Sequence, residues 1–171
     1  MDSEQGWVHL MVERLQLKGL KYDVVNASVS GETTGGGKVR LPKTLQIHQP
    51  GFVILELGGN DGLRGYPIDK IQGNLNSMTK MAIESGAKVL LVGMVLPPNY
   101  GQRYTQAFER LFVDVAARFS VPLLPYLLQG VTTDMSLLQS DGIHPTPEAQ
   151  VLLLEDFWPQ IEALLLPGSN Q

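Results

Sequence analysis

The sequence has no cysteine. Disulfides, thiolate metal sites and cysteine nucleophiles are therefore excluded. Charge is sparse as well: 13 basic residues stand against 17 acidic ones, a net charge of −4. No basic stripe exists to neutralise phosphates, so nucleic acid is not an expected partner. No apolar run approaches the length of a membrane span. The start, MDSEQGWVHL, has neither a basic stretch nor an apolar one, so no secretion signal is read in the chain as given. Aromatic residues make up 7%, and histidine occurs three times, as His9, His48 and His144.

What remains is an ordinary globular composition, 43% apolar over 171 residues. That is enough for one domain with a real core, and a single domain over 1–171 is expected. Trp7, Leu10, Met11 and Leu15 share one helical face, and Gly19 is a plausible stop. YDVVNASVS reads as a short strand. The glycine-rich GETTGGG reads as a flexible turn leading to a helix around Val39–Ile47, ended by Pro50. FVILELGGND is a buried strand running into a turn. Ile68, Ile71, Leu75 and Met78 mark a helix ending at Gly86. KVLLVGMVLPP is a second buried strand, TQAFERLFVDVAARFS a helix, VPLLPYLL a strand, and TPEAQVLLLEDFWPQIEALLL a closing helix. Continuously apolar strands separated by helices predict a parallel sheet covered on both faces, the three-layer α/β/α class. Ligands of such sheets sit at the carboxyl ends of the strands.

Several turns carry possible chemistry. Glu32–Val39 has the place of a phosphate loop but not its pattern, because Glu32 replaces the first glycine and Val39 the magnesium-binding hydroxyl. Asn60, after a strand and two glycines, has an amide that could donate to a developing oxyanion, and equally one that could stabilise its own turn. Asp61 reads as a turn-stabilising acceptor. Gly31 ends a strand with Ser28 and Ser30 beside it. In SDGIHP, Asp141 lies three residues before His144, and a proline stiffens the turn. An acid in reach of an imidazole can hold it as a general base. His9, on the first helix, and His48, beside Gln49 and Pro50, read as structural or exposed. Two ligands do not make a metal site, so none is expected.

Taken in order, GW at the first helix, VVNASVSGETT, RLP, LELGGNDGLRG, LPPNYGQRY, PLLPYLL and DGIHP resemble the SGNH, or GDSL, hydrolase family. The similarity is to its thioesterase/arylesterase/lysophospholipase branch. It implies a flavodoxin-like three-layer fold and hydrolysis of carboxylic esters or thioesters by a serine, without metal or cofactor. Its members are often periplasmic or secreted. By the same resemblance, Gly31 and Asn60 supply the oxyanion hole, His144 is the base and Asp141 its orienter. Leu96, Pro97 and Tyr100 line an acyl groove, and Asp61–Pro67 forms a loop over it.

The family's first block is a strand ending in Gly-Asp-Ser-Leu, whose serine is the nucleophile. That block does not occur in these 171 residues. Asp2 and Ser3 stand too close to Gly6 and Trp7 to represent it. The expected sheet thus lacks its first, central strand, and strand edges left open favour self-association. Ser30, next to Gly31, is the best substitute nucleophile. The alternative is a non-catalytic remnant that binds acyl groups or carbohydrate.

Overall fold

A computed structural model describes residues 6–124, 134–140 and 144–166. The chain divides into two compact units, one formed by residues 1–26 with 128–171 and the other by residues 27–127.

In the first unit, helix α1 (Trp7–Leu17) packs on helix α6 (Pro147–Leu165). The two run in the same direction, because contacts climb both helices together. The Trp7 N–H donates to Gln150 Oε1 at 2.9 Å, Lys18 pairs with Glu162 at 2.9 Å, and the Tyr22 hydroxyl donates to the Leu165 carbonyl at 3.0 Å. Between these, Arg14 pairs with Glu155. The expected apolar stripe buries Met11 and Leu15, and Trp7 meets Phe157 edge-on at 5.2 Å. Gly19 does end α1: its φ is +69°, and the Leu20 N–H returns to the Leu15 carbonyl. Thr146 precedes Pro147, whose missing N–H has no role at a first helical position.

The second unit holds a parallel sheet in the order β1 (Phe52–Leu55), β2 (Lys88–Val92), β3 (Leu123–Leu124). Helix α4 (Ile68–Glu84) joins β1 to β2, and α5 (Gln102–Phe119) joins β2 to β3. Crossovers of one hand between successive neighbours put both helices on one face. There α4 packs between α5 and α2 (Thr34–His48). Ile71, Leu75 and Met78 of α4, Phe108, Leu111, Phe112 and Val115 of α5, and Leu55, Val89 and Leu91 of the sheet make the core. On the opposite face of β2, Leu90 and Val92 are equally buried. A strand shielded on both faces is what its unbroken apolar run predicted.

Two expectations were wrong in an instructive way. Tyr22–Ser30 forms no strand, and Val25 and Val29 are exposed. Branched side chains give a segment strand propensity, but a ladder and a packed face make it a strand. Among the described residues the sheet ends at β1, which pairs with β2 alone. The second case is GETTGGG, which is not a flexible turn. Helix α2 begins at Thr34, well before Val39, with the Thr33 hydroxyl accepting from the Gly36 N–H at 3.3 Å. Glycine disfavours helix by roughly 1 kcal/mol per residue relative to alanine. Packing requires it here, since a Cβ on Gly37 would lie 2.5 Å from Leu57 Cδ1. The expected VPLLPYLL strand is present at Leu123–Leu124, and its remainder lies outside the described residues. No described helix is long and apolar enough to cross a membrane.

Gly62 tests how tightly this unit is packed. A Cβ there would lie 2.7 Å from Phe108 Cε2 and 2.8 Å from Leu96 Cδ2, both on buried side chains. Gly62→Ala is expected to lower stability by about 1–3 kcal/mol in urea unfolding, despite alanine's better helix propensity. An unchanged or raised midpoint would show that this contact has slack.

Candidate functional site

The loops at the carboxyl ends of the strands are where the second unit gathers its polar groups. After β1 the chain turns at Gly58, with φ +122°, and enters a short helix, α3 (Gly59–Leu63). A side chain at Gly58 would be strained by that φ and would meet Phe112 Cζ at 3.3 Å. Asn60 is thus the second residue of a helix that starts from the sheet itself, and it is half-buried. Among the described residues none hydrogen-bonds its side-chain amide. Gly31 lies in a turn closed by the Glu32 N–H on the Val29 carbonyl at 3.2 Å, with φ +76°. Ser30, in the same turn, is exposed.

Two residues of the α3 segment tie these turns together. The Asp61 carboxylate, 2% exposed, accepts from the Thr34 N–H at 2.8 Å and from the Thr34 hydroxyl at 2.5 Å. The Asn74 amide donates to that hydroxyl oxygen at 3.1 Å. Arg64 donates to the Gly31 carbonyl at 3.4 Å. Asp61 is therefore an acceptor, as expected, but for the start of α2 rather than for its own turn. Its partner across sequence was not legible.

The Glu32 carboxylate removes the phosphate-loop reading. It takes the Thr33 N–H at 3.1 Å and Arg40 Nε at 2.9 Å. The start of α2 thus carries its own anion where a phosphate would have to sit.

The loop after β2 meets the same region. Its Tyr100, in a 3₁₀ turn over Pro98–Tyr100, donates to the Leu63 carbonyl at 2.9 Å, and Tyr104, in the first turn of α5, donates to the Tyr66 carbonyl at 2.6 Å. Burial pushes the Tyr104 hydroxyl pKa up, and the Asp61 charge adds to it. Of the expected groove residues, Pro97 and Tyr100 are half-buried, and Leu96 is buried beneath Gly62.

His144 belongs to the first unit and is exposed. Its backbone is fastened on both sides. The Gln139 N–H donates to the His144 carbonyl at 2.7 Å, Gln139 Nε2 to the Pro145 carbonyl at 2.9 Å, and the Thr146 N–H to the Leu137 carbonyl at 2.8 Å. Asp141 lies outside the described residues, as do Asp2 and Ser3. Among the described residues no cluster of metal-ligating side chains exists. His9 faces Glu13 at 3.7 Å on the exposed side of α1, and His48 is exposed in the last turn of α2.

The α/β fold matches those of SGNH hydrolases, and residues 2–152 match the GDSL-like lipase/acylhydrolase family. The chain belongs to that family. It is 50% identical to esterase TesA of Pseudomonas aeruginosa over 165 residues, covering 96% of this chain and 82% of the relative. A crystal structure of TesA superposes with a TM-score of 0.93, covering 97% of this chain and 92% of that one. A thioesterase, protease and lysophospholipase of Escherichia coli is 38% identical over 165 residues, 96% of this chain and 78% of the relative. The esterase EstA from a Pseudoalteromonas species, solved with monoethylphosphonate as inhibitor, is 34% identical with a TM-score of 0.91, over 96% of this chain and 90% of that one.

One further carboxyl lies at the end of β1. Glu56 keeps part of its residue surface, but burial pushes its carboxyl pKa from 4.5 up to about 7. The unfolded chain releases this proton near the ordinary value, while the folded chain holds it until about pH 7. The stability this group contributes is complete below pH 4.5 and is lost as pH rises through about 7. Glu56→Gln is expected to flatten that decline, whose upper size is about 3 kcal/mol. Denaturant unfolding of both proteins between these pH values measures it, and parallel curves would exclude Glu56 as the source.

Proposed function

We propose that this chain carries the oxyanion-hole and base side of a serine hydrolase of carboxylic esters and thioesters. Gly31 N–H and the Asn60 amide are the oxyanion donors, His144 is the base and Asp141 its orienter. Pro97 and Tyr100, with Leu96 behind them, border the acyl group. The observation that carries this reading is the linkage of the Gly31 turn to Asn60 through Asp61 and Arg64. Two donors can stabilise one developing oxygen only if they hold still relative to each other. The family model runs from residue 2 to 152 across both compact units, which supports a single hydrolase domain.

The chemistry follows from those roles. A serine Oγ attacks the acyl carbonyl carbon while His144 takes its proton. The carbonyl oxygen becomes an oxyanion between Gly31 and Asn60. Collapse breaks the ester or thioester bond, and His144 returns the proton to the departing oxygen or sulfur. Water then attacks the acyl-enzyme by the same route. The relatives' names supply the substrate class, acyl esters and thioesters.

Ser30, exposed beside Gly31, is the candidate nucleophile within these 171 residues. Fluorophosphonate labelling followed by mapping of the adduct tests Ser30: an adduct there makes it the nucleophile, and a folded, unlabelled protein removes it, while any ester turnover is expected to fall about 100-fold or more in His144→Ala. A folded protein that neither labels nor turns over ester would leave the non-catalytic reading, retention of acyl or carbohydrate ligands.

Self-association is the accompanying proposal. Among the described residues Val53, Ile54 and Leu55 pair with β2 alone, and Val25 and Val29 stand exposed in a strand-prone segment of the same chain. Open edges of this kind recruit strands from a second copy. Sedimentation velocity is expected to show a concentration-dependent dimer or larger species. A monomer at every concentration would rule it out.

A further inference from the structure

We propose that Asp61 is the positioning residue of this site, holding Asn60 and the Gly31 turn in register by gripping Thr34 with its buried carboxylate. The inference rests on the oxyanion-hole reading of Gly31 and Asn60 and extends it to a residue outside that pair.

The argument begins with chain connectivity. Gly31 and Asn60 sit on segments far apart in sequence, and among the described residues no strand pairing joins those segments. Asp61 follows Asn60 directly and sits in the same helical turn. Thr34 opens α2, three residues after Gly31. Each oxygen of the Asp61 carboxylate takes one Thr34 donor, at 2.8 and 2.5 Å. Two bonds to one residue fix orientation as well as distance, which a single bond cannot do. Both residues are withdrawn from solvent, at 2% and 0% exposure, so water cannot replace either partner cheaply.

The grip is itself braced. Asn74, on α4, donates to the Thr34 hydroxyl oxygen at 3.1 Å, which leaves that hydroxyl's proton for Asp61. On the exposed side Arg64 reaches the Gly31 carbonyl at 3.4 Å. The α3 segment therefore makes two connections around the Gly31 turn, Asp61 to Thr34 and Arg64, just past the helix, to the Gly31 carbonyl, with Asn60 in the same segment. A carboxylate needed only to cap α2 would not have to come from α3, since Thr33 already caps that helix.

Resonances of the Gly31 N–H and the Asn60 side-chain amide report this geometry whether or not ester is hydrolysed. Asp61→Asn and Thr34→Val are expected to shift both resonances, with the amides of Leu90 and Leu91 unmoved. Thr34→Ser keeps both donors and is expected to restore the wild-type positions. If Asp61→Asn changes only residues around Thr34, or if neither Asp61→Asn nor Thr34→Val folds, Asp61 is a general stability element and the proposal fails. Where turnover is measurable, kcat is expected to fall about 10-fold or more in Asp61→Asn with KM held. Loss of the hydrolase reading, through turnover insensitive to His144→Ala, would leave these resonance shifts intact, so the two readings fail separately.

Discussion

A buried carboxylate needs donors, and the Asp61 carboxylate finds both in Thr34. Much of the second unit's functional edge is arranged around that requirement. Helix α2 begins where Thr34 can present its N–H and hydroxyl together. Helix α3 starts at Gly59, shortly after β1 ends at Leu55, and the residue following Asn60 is buried. Leaving either group unmatched would cost about 1–3 kcal/mol, more for a charge. The glycines around it follow from the same closeness. Gly37 lets α2 approach Leu57, and Gly62 lets α3 settle on Phe108 and Leu96. Their conformational freedom in the unfolded chain is the opposing term, and close packing offsets it.

The aromatic residues of the loop after β2 and of the first turn of α5 add a second level. Tyr100 and Tyr104 donate to carbonyls of Leu63 and Tyr66, at the far end of the turn that Asp61 opens. The 63–66 turn is thus tied through main-chain acceptors that any side chain there would offer. Such a loop can vary in sequence without losing its anchorage. Arg64 uses the same economy in donating to the Gly31 carbonyl. In the first unit, His144 is held in the same manner, by main-chain bonds from Gln139 and around Leu137 and Thr146. Around His144 and around the Gly31 turn alike, the fastening runs largely through main-chain groups.

Periodicity made the regular elements legible. The Ile71, Leu75 and Met78 stripe of α4, the helix read in TQAFERLFVDVAARFS, and the apolar runs of β1 and β2 all appear where the sequence pattern placed them. The candidate site was legible only through ordered blocks of family resemblance, since Gly31, Asn60 and His144 are unremarkable one at a time. Thr34, Asn74 and Arg64 were not found. Threonine beside glycine signals a turn more often than a helix start, and nothing local to Thr34 reports a carboxylate supplied by another loop. Paired with the acidic residue after Asn60, Thr33-Thr34 ahead of the glycines was the available signal.

By itself the sequence determined the class: an α/β chain with buried parallel strands, no thiol chemistry and the ordered blocks of an SGNH hydrolase. Local pattern suffices there, because helix and strand periods are set by backbone geometry within a few residues. Tertiary structure decided what depended on distance. Tyr22–Ser30 is not a strand, because a strand needs a neighbour that propensity cannot supply. GETTGGG runs into a helix, because Thr34 meets Asp61 and Gly37 meets Leu57. Hydrogen bonds and close packing join residues that are remote in the chain, and only the folded molecule brings them within reach.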